Sequence, residues 1–427
     1  MKVGHQRKKT AIVLSGGGAR GAYEVGVLSY LFDDLARLRR APPRVDIVSG
    51  SSVGAINACY LAAHLGDATD GMRRLVKLWR DIELPRILGF GLRHAIALPF
   101  VLTGGATEGV GVFDVRPIAE LVTQEVPWRA VARSLRRRHL QALSVSATEV
   151  STGRTVIFMQ TGPDFALPTT APPRTVIRPE LIGPPHALAS AAIPILFPPV
   201  RIGKELYTDG GLRQNTPIAP ALRLGATHVF AIGLSHEARG IGGEVALGGR
   251  APGAMFLLGK VLNAFLLDHI DNDLELLRRI NRLLADGEAA HGPDFLPAIN
   301  AVARRRGEAV YRKVQALAIR PTEDLGRLAA EHVRRGKFKG KVSMPRRLLS
   351  LFDVGFGSES DLASYMLFDG AFASSLIDLG RADAAARRDQ LLAFFDEEET
   401  PPEPDSFDPE ITVSQSGVSS SRIPIVG

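Results

Sequence analysis

Three short runs in this 427-residue chain hold side chains that can do chemistry. Gly50-Ser51-Ser52-Val53-Gly54 fits G-x-S-x-G, the pattern of a nucleophile elbow, in which a serine sits on a sharp strand-to-helix turn. Glycines two before and two after Ser52 leave room for that turn, and the following helix points its positive end at the hydroxyl. Ser51 lacks this framing, because Ser49 and Val53 stand where its glycines would be. Gly16-Gly17-Gly18-Ala19-Arg20-Gly21 fits G-x-G-x-x-G. Backbone without side chains can approach a ligand closely, and amides at a helix start attract negative charge, whether a pyrophosphate or an oxyanion. A dinucleotide site also needs an acid near the end of the second strand. Here that strand begins with Asp46 and ends in Ser49-Gly50, with no carboxylate where a ribose needs one. The third run, Tyr207-Thr208-Asp209-Gly210-Gly211, places an Asp at a strand end before two glycines that permit a sharp turn. Taken alone, it is an ordinary Asp-Gly turn.

A serine nucleophile needs a base. The chain has 10 histidines, none of them in an evident base motif. His64 lies far along the helix after Ser52, His186 precedes an Ala-rich segment and His228 opens a strand. Asp209 fills the gap.

Together the three runs resemble the patatin-like phospholipase family, whose signature is a Gly-rich oxyanion loop, a G-x-S-x-G elbow soon after it, and a distant Asp-Gly-Gly or Asp-Gly-Ala. Ser146-Ala147-Thr148-Glu149 with Thr152-Gly153-Arg154, and Ala189-Ser190-Ala191-Ala192-Ile193-Pro194 running into Phe197-Pro198-Pro199, add to the resemblance. It covers about residues 8–235. It implies Ser52 as nucleophile and Asp209 as general base, a dyad without histidine. It further implies Gly16, Gly17 and Gly18 as the oxyanion hole, with Arg20, Gly21, Gly50, Gly54, Gly210 and Gly211 shaping the turns. The implied activity is a lipid acyl hydrolase of phospholipase A or lysophospholipase type. No metal and no other cofactor is implied. Two other readings stand beside it. One is a Ser-His-Asp esterase, with His228 or His236 after the acid. The other is a nucleotide- or lipid-binding protein without catalysis.

The elements that must position these residues follow from hydrophobic period. Buried strands are expected at residues 10–14, 45–48, 143–147, 155–159, 206–208 and 229–232, and helices at 22–39 and 55–64. Alternating strands and helices predict an α/β, three-layer patatin-like fold with a mostly parallel central sheet. Beyond about residue 235 the pattern turns helical, at 255–267, 273–284, 307–319, 322–334 and 360–395. The expected organisation is a catalytic domain over 8–235, an α-helical C-terminal region over 236–395 and a disordered acidic tail over 396–427.

Hydrophobic residues make up 45% and charged residues 23% of the chain, a globular mix that excludes a wholly disordered or collagenous protein. The lone cysteine, Cys59, excludes an intrachain disulfide and fits a reducing compartment. The net charge of +7 conceals an asymmetry. Residues 396–427 hold eight acids and one base, a net −7, so the remainder carries +14. Arg133, Arg136, Arg137 and Arg138 form one basic cluster; Arg334, Arg335, Lys337, Lys339, Lys341, Arg346 and Arg347 form another. A basic body favours anionic partners. No nucleic-acid reader motif is present and aromatics are only 6%, so peripheral contact with an anionic membrane is the expected use and nucleic acid is not an expected partner. The apolar run at 11–14 is too short for a signal peptide. The most apolar longer stretch, 84–102, is broken by Pro85, Arg86, Arg93, His94 and Pro99, too polar to span a bilayer. It reads as a buried helix pair or as a cover that opens against lipid. A cytoplasmic protein, peripheral on a membrane, is expected.

Overall fold

A computed structural model describes residues 8–87, 114–168, 170–194, 196–236, 270–336 and 361–396. Residues 8–397 form one compact unit. Its centre is a nine-stranded sheet: β1 (Thr10–Leu14), β2 (Ile47–Ser51), β3 (Ala142–Glu149), β4 (Thr155–Thr161), β5 (Thr175–Pro179), β6 (Val200–Ile202), β7 (Glu205–Asp209), β8 (His228–Ile232) and β9 (Gln315–Ile319). The main path runs β5-β4-β3-β2-β1-β8-β9, with β7 paired to β3 and β6. β1 pairs in parallel with β2 and β8, and β2–β3, β4–β5 and β8–β9 are also parallel. Among the described residues, the pairings β3–β4, β3–β7 and β6–β7 are the antiparallel ones.

Central strands such as Thr10-Ala-Ile-Val-Leu14 are buried along their whole length, because helices cover both faces, as parallel sheets require. Side chains alternate between the two layers. Ile12, Leu14, Val48 and Val145 face one core. That core is completed by α1 (Gly21–Ser29), α2 (Val53–His64) and α3 (Ala68–Arg80). Ala11, Val13, Ile47 and Ala142 face the other, which includes residues of α7 (Ile218–Arg223) and α8 (Ile270–His291). Between these come α4 (Arg116–Glu125), α5 (Trp128–Arg136) and α6 (Pro184–Ser190). The fold is the expected α/β architecture, a mostly parallel sheet between helical layers.

The C-terminal region is largely helical, with α9 (Phe295–Arg305), α10 (Leu325–Arg335), α11 (Asp361–Met366), α12 (Gly370–Ala386) and α13 (Arg388–Asp396). It also departs from the sequence reading. Residues 307–319 were expected as a helix, yet Gln315-Ala-Leu-Ala-Ile319 is β9 and extends the sheet beside β8. Gln, Ala and Leu favour helix locally. Gly307, at φ +69°, follows the end of α9, and the parallel ladder on β8 then overrides a five-residue propensity. α12 packs on α1 with a glycine at each point of closest approach. A Cβ on Gly26 would lie 2.2 Å from the Ile377 carbonyl oxygen, and one on Gly380 2.3 Å from that of Tyr23. α1 itself continues through a π-helical turn (Tyr30–Leu35) into Ala36–Arg39, which fits the continuous helix expected there. The expected helix at 255–267, most of the 84–102 stretch, the basic residues 337–347 and the tail beyond 396 lie outside the described residues. Among the described residues no helix is long and apolar enough to cross a membrane.

Candidate active site

Ser52 and Asp209 are 157 positions apart in sequence, and the register of β3 brings them together. Ser51, the last residue of β2, pairs with Ser146. Asp209, the last residue of β7, pairs with the next β3 residue, Ala147. Because β4 holds the other edge of β3 at Ala147 and Thr148, β7 must enter on the β2 side and meet it end to end. β1 ends beside the same point, with Leu14 opposite Gly50, so the glycine loop after β1 emerges there too. Three strand ends thus converge on one spot of the sheet.

Ser52 is the N-terminal cap of α2 and holds φ 53°, ψ −131°. A non-glycine residue with positive φ costs on the order of 1–3 kcal/mol and persists only where its surroundings enforce it. The flanking glycines are part of that enforcement. A Cβ on Gly50 would sit 2.4 Å from the Gly54 carbonyl oxygen, and one on Gly54 2.5 Å from that of Ser15. Either side chain would push the elbow apart. The Ser52 amide donates to Ser190 Oγ (2.9 Å), whose own hydroxyl donates to the Ser146 carbonyl (2.6 Å). The turn is therefore tied to α6 and β3 together.

The Ser52 hydroxyl donates to Asp209 Oδ2 at 2.7 Å. The other carboxylate oxygen accepts the Gly211 amide at 2.7 Å, a bond the two-glycine turn makes possible. Gly210 has no space for a side chain, since a Cβ there would lie 2.1 Å from the Ser146 carbonyl oxygen. Asp209 is fully buried. Burial raises its pKa from 3.8 to about 7, against the opposing pull of the Ser52 and Gly211 hydrogen bonds. A carboxyl so placed changes protonation state near neutrality, where a proton acceptor in catalysis is most effective.

The glycine loop lies against the serine: a Cβ on Gly16 would be 2.8 Å from Ser52 Cβ. The three glycines implied as oxyanion donors differ in their use. The Gly16 amide donates to the Asn215 carbonyl at 3.1 Å, so it is engaged. The amides of Gly17 and Gly18 make no hydrogen bond among the described residues. Gly18 has φ +56°, a conformation glycine adopts freely. Arg20 and Gly21 sit behind the loop. Arg20 is buried and donates to Ser364 Oγ (2.8 Å), while Gly21 packs against Val53.

Four further residues of this site were not singled out from sequence as acting here. Asn215 accepts the Gly16 amide and returns a bond from Nδ2 to the Gly16 carbonyl at 3.2 Å. Ser190 braces the elbow. Glu24, fully buried in α1, accepts the Ser15 amide (2.7 Å) and Asn57 Nδ2 (2.9 Å). Burial lifts its pKa to about 8. Asn57 in turn accepts Trp79 Nε1 at 3.2 Å. A buried polar chain of this kind leaves one sequence signal, a Glu and an Asn on otherwise apolar helix faces.

The histidines considered as bases lie elsewhere. His228 starts β8, level with Thr10 at the opposite end of the strands from the site, and contacts Thr227 Oγ1. His236 contacts the Thr322 carbonyl. Asp46 is used structurally, accepting the Thr10 amide and Gln141 Nε2.

Ser52 and Gly18 open on a cleft enclosing about 840 Å³, part of it continuous with solvent. Its walls include Val53, Tyr60, Trp79, Ile118, Phe197 and Phe368. They are almost wholly apolar, and such a surface fits hydrocarbon rather than a sugar or nucleotide.

Residues 12–222 match the model of the patatin-like phospholipase family. Over those residues the chain is a patatin-like phospholipase domain. A cGAMP-activated phospholipase of Pseudomonas aeruginosa is 30% identical over 207 residues, covering 48% of this chain and 53% of that protein. A cGAMP-activated phospholipase of Escherichia coli is 27% identical over 216 residues, covering 48% and 52%. The chain thus spans about half the length of the curated relatives it matches. Among solved structures, human GIVD cytosolic phospholipase A2 aligns with a TM-score of 0.42 at 10% identity, covering 91% of this chain and 60% of that one. The patatin-like match ends at residue 222, before β8, β9 and the helices that follow.

Proposed function

We propose that this chain hydrolyses fatty acyl esters of lipids, as a phospholipase A or lysophospholipase, through a Ser52–Asp209 dyad. The observation that carries this reading is the 2.7 Å hydrogen bond from the Ser52 hydroxyl to a buried carboxylate at the mouth of an apolar cleft. The acyl chain lies in the cleft and presents its carbonyl carbon to Ser52 Oγ. Asp209 Oδ2 takes the hydroxyl proton as the C–O bond forms. The tetrahedral oxyanion is held by the Gly17 and Gly18 amides, beside the positive end of α2. Collapse expels the alcohol, which receives the proton from Asp209, and leaves an acyl-serine. Water then attacks that ester with Asp209 again accepting the proton; as the acyl–Oγ bond breaks, Asp209 returns that proton to Ser52 Oγ and the fatty acid leaves.

The family supports lipid hydrolysis. No observation favours the histidine-dependent esterase, since His228 and His236 contact other groups. Nor does one favour a nucleotide site, since the cleft beside the glycine loop is apolar. The basic body supports a cytoplasmic enzyme that meets its substrate on an anionic bilayer.

The decisive experiment compares wild type with Ser52→Ala on phospholipid vesicles, following released fatty acid by mass spectrometry. A fluorophosphonate probe reports the nucleophile in parallel. Wild type should release fatty acid and take up one probe per chain, and Ser52→Ala should do neither. Sustained hydrolysis by Ser52→Ala would overturn the proposal.

A further inference from the structure

Three consecutive glycines carry no side chain that could fix them, and ordering them is entropically expensive. Two of their amides must nevertheless hold a developing charge in place. The upstream end of the loop is held by Asn215, which bonds both the amide and the carbonyl of Gly16. The downstream end is held by residues that lie about 140 positions beyond the patatin-like match. Arg20 is almost fully buried; its Nε donates to Ser364 Oγ at 2.8 Å, and its guanidinium lies 4.1 Å from the centre of the Tyr365 ring. The backbone amide of Arg20 bonds the Gly17 carbonyl at 3.1 Å, so fixing Arg20 fixes the peptide that carries the Gly18 amide. The Tyr365 carbonyl meanwhile fills the place a Gly18 side chain would take, 2.2 Å from an ideal Cβ.

We infer that residues 362–368, in and just after α11, are a positioning element for the oxyanion donors, acting on Gly17 and Gly18 through Arg20, Ser364 and Tyr365. The same segment walls the cleft with Tyr365, Met366 and Phe368, and Phe368 stacks on Trp79 at 6.3 Å. It is seated on a rigid support. α12 follows directly and interlocks with α1, where Tyr23 donates to Asp383 Oδ2 at 2.9 Å. The helix that begins at the glycine loop and the helix that follows the clamp are thus packed on each other. The catalytic site is completed by chain outside the family-matched residues.

This inference rests on the ester-hydrolase reading, and the test separates the two. Ser364→Ala removes the acceptor for Arg20 Nε. Tyr365→Leu removes the ring beneath the guanidinium, while Tyr365→Phe keeps it. Each full-length variant is assayed on a short-chain ester for kcat and KM, and for inhibition by a trifluoromethyl ketone, whose adduct with Ser52 places an oxyanion in the hole. Loss of one oxyanion donor costs about 100- to 1,000-fold in kcat, so loosening two without deleting either should cost about 10- to 100-fold. The ketone's inhibition constant should rise by the same factor, and in Ser364→Ala, which does not line the cleft, KM should change by less than about threefold. Tyr365→Phe, which keeps the ring, should lose less than Tyr365→Leu. If Tyr365→Leu does not fold, Ser364→Ala decides alone. Unchanged kcat and unchanged ketone affinity in Ser364→Ala, with Ser52→Ala inactive, would overturn the inference and leave the hydrolase standing. An active Ser52→Ala would remove both.

Discussion

The protonation state of Asp209 sets the acid limit of the proposed reaction. In water an aspartate has a pKa near 3.8, and here burial lifts it to about 7. The rise of about 3 units corresponds to about 4 kcal/mol of differential stabilisation of the neutral form. Only the ionised form can take the Ser52 proton. Below the raised pKa, kcat/KM should therefore fall tenfold per pH unit, so that at pH 5 about 1% of the plateau remains. An aspartate at its ordinary pKa would leave the rate almost flat down to pH 5. The assay is hydrolysis of an uncharged short-chain ester from pH 5 to 9, read as kcat/KM, so that substrate titration and membrane binding do not enter. The rate of fluorophosphonate labelling of Ser52 should follow the same curve. Two controls separate Asp209 from other groups near neutrality. The limb should persist in His228→Ala and His236→Ala, whose imidazoles contact Thr227 and Thr322 instead. It should also persist in Glu24→Gln, because Glu24 titrates near 8 and touches Ser15 and Asn57 rather than Ser52. A rate flat to pH 5 would refute the argument from burial. A limb that disappears with either histidine would transfer the base to that residue.

Two other outcomes follow from the same groups. Asp209→Asn should abolish hydrolysis yet stabilise the fold at pH 8. A pKa raised in the folded state contributes stability present below about pH 3.8 and lost as pH rises through about 7. The variant's melting temperature should thus exceed wild type at pH 8, with the difference vanishing at pH 4; a lower value at pH 8 would contradict it. The double variant Ser52→Ala/Asp209→Asn should be little less active than either single one, as for residues acting as a unit. The exposed Arg133, Arg136 and Arg137 at the end of α5 should draw the protein to anionic vesicles. Reversing all three to Glu removes about 1 kcal/mol or more per site, and should weaken co-sedimentation about 100-fold or more at low salt. Binding that ignores both the reversal and 1 M salt would reduce this cluster to solvated surface.

What sequence could and could not reveal here divides along the range of the interactions. Gly50, Ser52, Gly54, Asp209 and Gly210 are legible because each is required by local geometry: a strained φ at Ser52, and backbone oxygens where the Gly50, Gly54 and Gly210 side chains would be. Short motifs are the imprint of constraints met within a few residues. Strands β1, β2 and β8 are legible for the same reason, since apolar runs buried on both faces have few other uses. The meeting of Ser52 with Asp209 depends instead on a one-residue step in β3 register, from Ser146 to Ala147, which leaves no mark in either motif. β9 is not legible, because its pairing with β8, not its composition, makes it a strand. The supports of the site are the least legible. Asn215, Glu24 and Ser364 are common polar residues whose role arises only when a distant amide or guanidinium needs a partner. The glycine loop shows how the two kinds of information combine. Its sequence announces that the backbone must come close to something, while Asn215 before it and Ser364 after it decide where that backbone is held. A motif of three glycines therefore specifies a capacity for close approach, and the long-range contacts turn that capacity into a fixed position for two amides.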